Sequence, residues 1–469
     1  MLTLDDLLRQ ITDPSGREIF DPATGATVGR APMGSTADVD SAVARARLAQ
    51  VAWAARTDED RADLLVRAAA AVESAAEPLA ELLTREQGKP LNGANARFEV
   101  AGSVAWLRAT AGTALPDETV FDDGVIHAQL NYRPIGVVGA IGPWNWPMMI
   151  TVWQIAPALR MGNSVVVKPS EYTPLSVLAL VKIINGVLPE DVLVPITGNG
   201  EVGSRLARHA DVGKIMFTGS TATGRNVIHD SADSVKRLTL ELGGNDAGIV
   251  LPDVDPSAVA NEIFWGAFIN AGQTCAALKR LYVHDDVYEA VCTELIRVAK
   301  ETPMGNGLEE ASLLGPVQNR RQFDKVRSLV DSARAAGARV LVGGNPDLEA
   351  PGNFYPVTLV ADVDNDNPLV SEEQFGPALP IVRYRHLDDA IEMANALDVG
   401  LGASVWGSDV DAARRVAARL EAGTVWINAH GSVHPMIPFG GIKQSGYGLE
   451  FGVEGLKSVS VPQVISARH

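Results

Sequence analysis

The sequence predicts an α/β protein with two doubly wound α/β domains in tandem and a small β arm. Two separate series of short apolar runs alternate with helical stretches, which is typical of parallel sheets covered by helices. The first series starts at Ile135 and the second at Ala247. In addition, two segments alternate polar and apolar residues without a core of their own to join, and these predict the β arm.

Length and composition limit the class of protein. The chain has 469 residues, of which 46% are hydrophobic, so it can bury two or more cores. No apolar run of about 18 residues predicts a membrane span, and Met1 to Asp6 lacks the profile of a signal peptide. The net charge of -17 argues against nucleic acid, whose phosphates need a basic surface. We therefore expect a cytoplasmic protein that binds neither membrane nor nucleic acid.

The flanking segments predict helices and a hairpin. From Asp38 to Gly112 the chain is alanine-rich with helical periodicity, which favours three or so surface helices. Residues Thr119 to Arg133 alternate around Asp123-Gly124, a turn signal, and predict a hairpin. The alternating segment Leu456 to Ile465 can pair with that hairpin or with another subunit.

Each apolar run predicts one strand of a sheet. The first domain should hold five strands: Gly136 to Ile141, Ser164 to Val167, Leu193 to Thr197, Lys214 to Phe217 and Arg237 to Leu240. After Ala247, the second domain should include Arg280 to Val283, Val340 to Val342, Leu379 to Arg383, Gly402 to Trp406 and Thr424 to Asn428. In open sheets of this kind, ligands bind beyond the carboxyl ends of the strands.

Polar and glycine-rich motifs follow the strands of the first domain, where a ligand would bind. They are Pro143-Trp144-Asn145-Trp146-Pro147, Lys168-Pro169-Ser170-Glu171, Thr218-Gly219-Ser220 and Glu241-Leu242-Gly243-Gly244. Gly198 to Gly203 matches the glycine pattern of a dinucleotide-binding turn, and the turn before Gly224 offers a second helix N-terminus for a phosphate. Tight turns between strand and helix explain both glycine patterns equally well.

Charged and amide side chains in these motifs are candidates for chemistry. Lys168 and Glu171 can bind ribose hydroxyls, although a solvated surface pair would look the same. Glu241 ends a strand before two glycines, and a partly desolvated carboxylate there can act as a general base. Asn145 lies on a stiff loop, so that its amide can donate to an oxyanion, and a turn asparagine is the alternative.

The two cysteines predict different roles. Cys292 lies in an amphipathic pattern, Val287 to Ala299, where it should pack as a small hydrophobe. Cys275 follows an apolar helical pattern, Val259 to Ile269, and falls in the loop just beyond it. A thiol on such a loop can be aimed at a substrate, whereas a second small buried hydrophobe is the plainer interpretation. Two cysteines predict no disulfide framework, and the eight histidines show no metal-ligand spacing.

Taken together, six motifs resemble those of the aldehyde dehydrogenase superfamily in order and spacing. They are Pro143-Trp144-Asn145-Trp146-Pro147, Lys168-Pro169-Ser170-Glu171, Phe217-Thr218-Gly219-Ser220, Glu241-Leu242-Gly243-Gly244, Gly272-Gln273-Thr274-Cys275 and Glu372-Glu373-Gln374-Phe375-Gly376-Pro377. The resemblance covers nearly the whole chain and ends with Pro438-Phe439-Gly440-Gly441 and Ser445-Gly446. One departure is Asn245-Asp246, since a lysine is usual in the family at the first of these positions.

The resemblance implies an organisation for the chain. Residues 1-112 and 134-244 would form the NAD-binding domain, and 245-452 the catalytic domain. Residues 113-133 and 453-469 would form an oligomerisation β arm that pairs subunits in a homodimer or homotetramer. The implied cofactor is NAD, with NADP as an alternative.

The resemblance also implies roles for single residues. Cys275 would be the nucleophile, Asn145 and the backbone N–H of Cys275 would stabilise the oxyanion, and Glu241 would activate water. The resemblance also implies that Lys168 is one of the catalytic residues. The residues expected to hold the cofactor are Ile141, Trp144, Lys168, Ser170, Glu171, Gly200, Gly203, Phe217, Gly219, Ser220, Leu242, Gln322, Glu373 and Phe375.

The expected substrate is a neutral apolar or aromatic aldehyde. The family's substrate tunnel would be lined here by Trp146, Met149, Trp153, Ile269, Val433, His434 and Phe439. Trp153 stands where relatives resembling succinic semialdehyde dehydrogenases carry an arginine. A betaine aldehyde is one alternative substrate, because Trp146 and Trp153 offer cation–π faces, and a semialdehyde is another. Two further alternatives are an enzyme that transfers the acyl group to coenzyme A and an inactive relative that serves as a binding or structural protein. Glu241 argues against coenzyme A, and the intact motifs argue against inactivity.

Overall fold

Five helices and a pair of antiparallel strands precede the first large sheet. A computed structural model describes residues 2–468. Its first elements are α1 (Leu4–Ile11), the antiparallel strands β1 (Arg17–Phe20) and β2 (Thr27–Ala31), and the helices α2 (Thr36–Ala54), α3 (Asp58–Ser74), α4 (Ala76–Gln87) and α5 (Ala96–Gly112). Ser35 and Thr57 cap α2 and α3 through their hydroxyl oxygens. The expectation of three or so surface helices was wrong in number and for α5, which is buried over much of its length. Small alanine side chains allow this close packing.

The first large sheet has six strands in the order β19-β9-β8-β5-β6-β7. After the hairpin β3 (Glu118–Asp122) and β4 (Ile126–Pro134), this part of the chain contains β5 (Val137–Ile141), α6 (Pro147–Arg160), β6 (Ser164–Lys168), α7 (Pro174–Asn185), β7 (Leu193–Pro195), α8 (Gly200–Arg208), β8 (Val212–Thr218), α9 (Thr221–Ser231), a 3-10 turn (Ala232–Ser234) and β9 (Arg237–Glu241). Strands β5 to β9 are parallel, as expected from short apolar runs that alternate with helical stretches.

The second large sheet has seven strands in the order β12-β13-β14-β11-β10-β16-β17. Its elements and neighbours are β10 (Asp246–Val250), α10 (Pro256–Phe268), a 3-10 turn (Ile269–Gly272), β11 (Leu278–His284), α11 (Tyr288–Glu301), α12 (Arg320–Ala335), β12 (Arg339–Val342), β13 (Thr358–Ala361), α13 (Pro368–Ser371), β14 (Ala378–Tyr384), α14 (Leu387–Asn395), β15 (Val399–Gly400), β16 (Gly402–Trp406), α15 (Val410–Ala417) and β17 (Thr424–Ile427). Strand β13 was not expected, because its four fully buried residues show no alternation.

The C-terminal segment completes two sheets. Its elements are β18 (Ile442–Lys443), β19 (Gly446–Tyr447), α16 (Gly452–Ser458) and β20 (Ser460–Arg468). Strand β19 runs antiparallel to β9, with Gly446 opposite Glu241. Strand β20 pairs with β4 to give the three-stranded sheet β20-β4-β3. Of the two alternatives for this segment, pairing with the hairpin is therefore present within the chain, although the strand starts only at Ser460.

Hydrophobic clusters lie on both faces of each large sheet. The largest joins the N-terminal helices to α6, α7 and the first sheet. The predicted domain limits stay a prediction, and β19, from residues 245-452, completes the edge of the first sheet. Within residues 2–468, no helix is both long and apolar enough to cross a membrane.

Candidate active site

A cleft of about 910 Å³ runs past the carboxyl ends of β5, β6, β8 and β9. The last residue of each of these strands lines it: Ile141, Lys168, Thr218 and Glu241. Cys275 lines the same cleft from the second sheet, and so does Asn145. The structure therefore brings the four predicted catalytic residues, Cys275, Glu241, Asn145 and Lys168, to one cavity.

Every residue expected to hold the cofactor also lines this cleft. They are Ile141, Trp144, Lys168, Ser170, Glu171, Gly200, Gly203, Phe217, Gly219, Ser220, Leu242, Gln322, Glu373 and Phe375. Further lining residues that the sequence did not single out include Tyr172, Arg208, Asn226 and Lys325. These side chains come from helices or loops without a recognisable motif, so only the folded chain reveals their position.

Two helix N-termini open onto the cleft. Asn199 caps α8 by accepting a hydrogen bond from the Glu201 N–H at 3.0 Å. Ser220 caps α9 by accepting from the Thr223 N–H at 3.3 Å. No atom lies within 4 Å of where a Cβ on Gly200 would be, so the backbone there is open to a ligand. Free N–H groups and the helix dipole suit such a place to a phosphate.

Lys168 and Glu171 lie together at one end of the cleft. The Lys168 Nζ is buried and, among residues 2–468, donates to the Pro169 carbonyl alone, at 3.1 Å. Burial lowers the pKa of Lys168 to about 8, although Glu171 opposes this shift. Glu171 forms an ion pair with Arg17 from β1. Sequence reasoning missed Arg17, because the two partners are 154 residues apart.

The Cys275 loop begins with an unusual backbone turn. Asn270, Ala271 and Gly272 follow one another with φ of 51°, 53° and 73°. A Cβ on Gly272 would lie 2.3 Å from the Gly376 carbonyl oxygen, so only glycine fits that close approach. Cys275 itself is half-buried.

Asn145 is fixed to this loop by hydrogen bonds in both directions. Its Nδ2 donates to the Gln273 carbonyl at 2.9 Å, and its own carbonyl accepts from Asn270 Nδ2 at 2.9 Å. The Asn145 carbonyl also accepts from Lys89 Nζ at 2.8 Å. One N–H of the Asn145 amide remains for another acceptor.

A buried ion pair stands behind Asn145. Lys89 Nζ lies 2.5 Å from Glu99 Oε2 and 3.5 Å from the centre of the Trp146 ring. Glu99 Oε1 accepts from the N–H groups of Met148 and Met149 at the start of α6. The pair thus joins two helices to the Asn145 loop. Sequence reasoning missed it, since neither residue belongs to a motif.

Glu241 is a buried carboxyl without a hydrogen-bond partner among residues 2–468. Burial raises the pKa of Glu241 well above its usual range, and the nearby Glu450 carboxyl raises it further. A Cβ on Gly440 would approach Glu241 Oε1 to 3.3 Å, so this glycine keeps the space beside the carboxyl free. Such a group holds a proton more strongly than an exposed glutamate does.

The charges around Cys275 oppose one another. Removal from water raises the pKa of the thiol to about 12, and Glu241 and Asp246 act in the same direction. Lys279 acts against them.

On the other side of the cleft, the rings of Trp144 and Phe375 meet edge to face at 5.2 Å. Cys292, by contrast, is buried within α11, as expected.

The arrangement brings a thiol, an amide donor and a carboxyl that has no hydrogen-bond partner among residues 2–468 to one cleft. The aldehyde dehydrogenase family model matches residues 11–465. The chain belongs to the aldehyde dehydrogenase family. The resemblance found in the sequence is thereby confirmed.

Relatives and solved structures of the family match nearly the whole chain. It is 39% identical over 452 residues to the phenylacetaldehyde dehydrogenase of Pseudomonas fluorescens, covering 94% of this chain and 90% of that protein. The NAD+ complex of an aldehyde dehydrogenase from Bacillus cereus has a TM-score of 0.93 and 35% identity, covering 96% of this chain and 93% of that one. An NADP-dependent enzyme from E. coli has a TM-score of 0.93 and 33% identity, covering 96% and 94%. The predicted α/β fold class is confirmed.

In this member of the aldehyde dehydrogenase family, an aromatic cluster lies beside the Cys275 loop. Trp146, Met149, Trp153 and Phe439 are buried in one hydrophobic cluster, and Ile269, Val433 and Cys275 pack against it. The seventh residue expected in the substrate tunnel, His434, is exposed, and its Nδ1 accepts from the Met436 N–H.

Two further aromatic rings belong to that cluster and were missed. Trp106 lies 5.4 Å from Trp153, and Phe451 lies 4.8 Å from the same ring. Trp106 was treated as part of the helical scaffold, and Phe451 lies beyond the last motif. In the described part of the chain, no group of three or more His, Cys, Asp or Glu residues could hold a metal ion.

Proposed function

We propose that this protein oxidises an aldehyde to the carboxylic acid with NAD as the hydride acceptor. The observation that carries this proposal is the shared cleft: the half-buried Cys275 and a carboxyl without a partner among residues 2–468 lie along one cavity with the strand ends expected to hold a dinucleotide. Membership of the family supports the reaction class.

The residues of the cleft fit a dinucleotide. Its volume of about 910 Å³ is large enough for an extended ligand. The N-terminus of α8, at Gly200, can accept a phosphate, while Lys168 and Glu171 can bind ribose hydroxyls. At the other end, a Cβ on Gly243 would lie 2.6 Å from Glu373 Oε2, so the missing side chain leaves room for that carboxylate.

The first half of the reaction forms a bond between Cys275 and the substrate. The Cys275 thiolate attacks the aldehyde carbon, and the carbonyl oxygen becomes an oxyanion. The free N–H of Asn145 and the backbone N–H of Cys275 donate to that oxyanion. A bound NAD would supply the hydride acceptor, and loss of hydride from the thiohemiacetal would leave a thioester on Cys275.

The second half releases the acid. Glu241, as the carboxylate, takes a proton from water while the water oxygen attacks the thioester carbon. The C–S bond breaks, the acid leaves, and Cys275 is free for another turnover. Acyl transfer to coenzyme A would need no such base, so the placement of Glu241 supports hydrolysis. The intact set of Cys275, Asn145 and Glu241 argues against an inactive relative.

The cofactor preference rests on the charge at the adenosine end. Glu171 can accept from both ribose hydroxyls but repels a 2'-phosphate, which favours NAD. Arg17 partly neutralises this carboxylate, so NADP stays the alternative. One similar structure is an NAD+ complex and another is an NADP-dependent enzyme.

The substrate preference rests on the aromatic cluster. Trp153 and Phe439 bury apolar area, and Lys89, a cation beside Trp146, is already paired with Glu99. A substrate carboxylate would therefore lack a free partner there and would cost several kcal/mol to bury. The similarity to a phenylacetaldehyde dehydrogenase supports an aromatic or apolar aldehyde. A betaine aldehyde is the second candidate, through cation–π contacts.

The β arm supports assembly into a homodimer or homotetramer. Val464, Ile465 and Phe121 of this three-stranded sheet are 59%, 51% and 50% exposed. Apolar side chains on open strands invite pairing with another copy. We also propose that the protein acts in the cytoplasm.

Replacing the two cysteines separately tests the nucleophile. Cys275→Ala should abolish aldehyde oxidation while NAD still binds, because no hydroxyl or water attacks a carbonyl as readily as a thiolate does. Cys292→Ala is the matched control and should turn over near the wild-type rate. NADH absorbance measures turnover, and titration calorimetry measures NAD binding. More than trace activity in Cys275→Ala would reject the assignment.

The Glu241→Gln variant tests the base. It should still acylate but hydrolyse the thioester roughly 10²- to 10⁴-fold more slowly, since the amide cannot take a proton. Stopped-flow NADH absorbance should then show a burst larger than the steady rate. Because the pKa of Glu241 is raised, wild-type kcat should rise with pH as the carboxylate forms, and the variant should lack that rise. Unchanged turnover in Glu241→Gln would remove Glu241 from the mechanism.

Charge variants at the adenosine end test the cofactor preference. The wild type should have a higher kcat/KM for NAD than for NADP. Glu171→Gln should raise the value for NADP, because the repulsion is lost, and Arg17→Gln should lower it. Comparable wild-type values for both cofactors would refute the preference.

A panel of aldehydes tests the substrate pocket. The kcat/KM for benzaldehyde or a medium-chain aliphatic aldehyde should exceed that for succinic semialdehyde and for betaine aldehyde. The cluster buries apolar area, and the described residues around it offer no free cation. A clear preference for either charged substrate would reject the pocket assignment and leave the catalytic residues unaffected.

A further inference from the structure

Lys279 is a buried cation beside the Cys275 loop that none of the predicted motifs contains. It is 1% exposed, and it lies at the start of β11, four residues after Cys275. Its Nζ donates to the Thr274 carbonyl at 2.7 Å and to the Cys275 carbonyl at 3.2 Å. The same Nζ lies 3.4 Å from Glu373 Oε1. A single ammonium group therefore contacts both the nucleophile loop and the carboxylate across the cleft.

The position that usually supplies a lysine in the family does not supply one here. Asn245 occupies it, and its Nδ2 donates to the Val370 carbonyl at 2.8 Å. The segment that begins at Val370 also carries Glu373, so a side chain at position 245 points toward that segment. In this chain, the cation that contacts Glu373 lies on the neighbouring strand β11 instead.

Asp246, the next residue, adds a buried carboxyl near the thiol. Asp246 is buried, and one of its oxygens accepts from the Gly402 N–H at 3.1 Å while the other lies 3.6 Å from His430 Nε2. A Cβ on Gly244 would meet Asp246 Oδ1 at 2.7 Å and the Cys275 carbonyl at 3.0 Å, which shows how closely these segments approach. Glu241 adds a second carboxyl that acts on the thiol.

Lys279 is the charge that counters these carboxyls near the thiol. Burial, Glu241 and Asp246 raise the pKa of Cys275, and Lys279 lowers it. Burial also raises the pKa of Glu373, and Lys279 opposes that shift as well. Its ammonium further lies 5.3 Å from the centre of the Phe375 ring. The effects of Lys279 on Cys275 and on Glu373 both favour the charged form of a group that the reaction uses.

We propose that Lys279 is a positioning residue that replaces the lysine absent from position 245 and ties the Cys275 loop to Glu373. It holds the carbonyls of Thr274 and Cys275, which fixes the direction of the thiol. It also keeps Glu373 charged and in place to accept from a ribose hydroxyl. The role at Glu373 rests on the proposed function, whereas the role at Cys275 is a property of the thiol alone.

Substitutions at Lys279 test this role without any aldehyde. The rate of Cys275 alkylation by iodoacetamide is measured against pH in the apo protein, with mass spectrometry to confirm the labelled cysteine. Lys279→Met should shift the profile to higher pH and slow labelling at neutral pH roughly tenfold, because the thiolate loses its nearby cation. Lys279→Arg should restore the profile in large part. Lys300→Met removes an exposed lysine from α11 and should match the wild type.

A second measurement addresses Glu373. Titration calorimetry should show weaker NAD binding in Lys279→Met, and steady-state kinetics should show a higher KM for NAD together with a lower kcat. Lys279→Gln keeps a donor for the two loop carbonyls and removes only the charge, so it should fold and share the labelling shift. Changed labelling without turnover of any aldehyde would keep the role at Cys275 and reject the proposed function.

Two results would overturn the inference. The first is a folded Lys279→Met or Lys279→Gln with the wild-type alkylation profile and wild-type NAD affinity. The second is a Lys279→Met that fails to fold beside a Lys279→Gln that behaves as the wild type, since a buried lysine would then serve packing alone.

Discussion

Three successive residues in the left-handed conformation, Asn270 to Gly272, are the constraint on which the active site depends. A non-glycine residue in this region costs roughly 1 to 3 kcal/mol, and here two such residues come together. The cost is offset by hydrogen bonds that exist only in this turn: Asn270 Nδ2 reaches the Asn145 carbonyl, and Gln273 Nε2 reaches the Asn270 carbonyl at 3.0 Å. Because the same turn sets the direction of Cys275, the strain and the placement of the thiol have one origin.

The parts of the site that could be predicted from the sequence are those that follow strands. Lys168 and Glu241 are the buried last residues of their strands, so the pattern that predicts each strand also predicts where its last side chain lies. The family resemblance then supplied the roles of Asn145 and Cys275, which their own stretches left open. Together these two sources identified the wall of the cleft.

Contacts between distant segments could not be predicted in this way. Lys89 and Asn145 are 56 residues apart, and Arg17 and Glu171 are 154 apart, and no local period or turn signal relates such partners. The sequence shows Asn245 where the family usually has a lysine. The proposed compensation by Lys279 could not be predicted from the sequence, because two neighbouring strands bring these residues together. The pairing of strands decides which charged side chains come together. A sequence motif describes only one of the positions from which a lysine can reach the same place.

The register of β19 against β9 has a consequence for how the protein is made. Gly446 lies opposite Glu241, so the strand that carries the base gains its outer neighbour from a segment made some 200 residues later, and Leu242 N–H likewise donates to the Ser445 carbonyl. Domains tend to fold during synthesis from the N-terminal end, and contacts of long sequence separation form slowly. A ribosome that has just finished β9 therefore exposes a partly formed sheet with an open edge beside its future base. The first sheet is complete only when β19 has left the exit tunnel, and termination before β19 would leave an aggregation-prone edge rather than a slower enzyme.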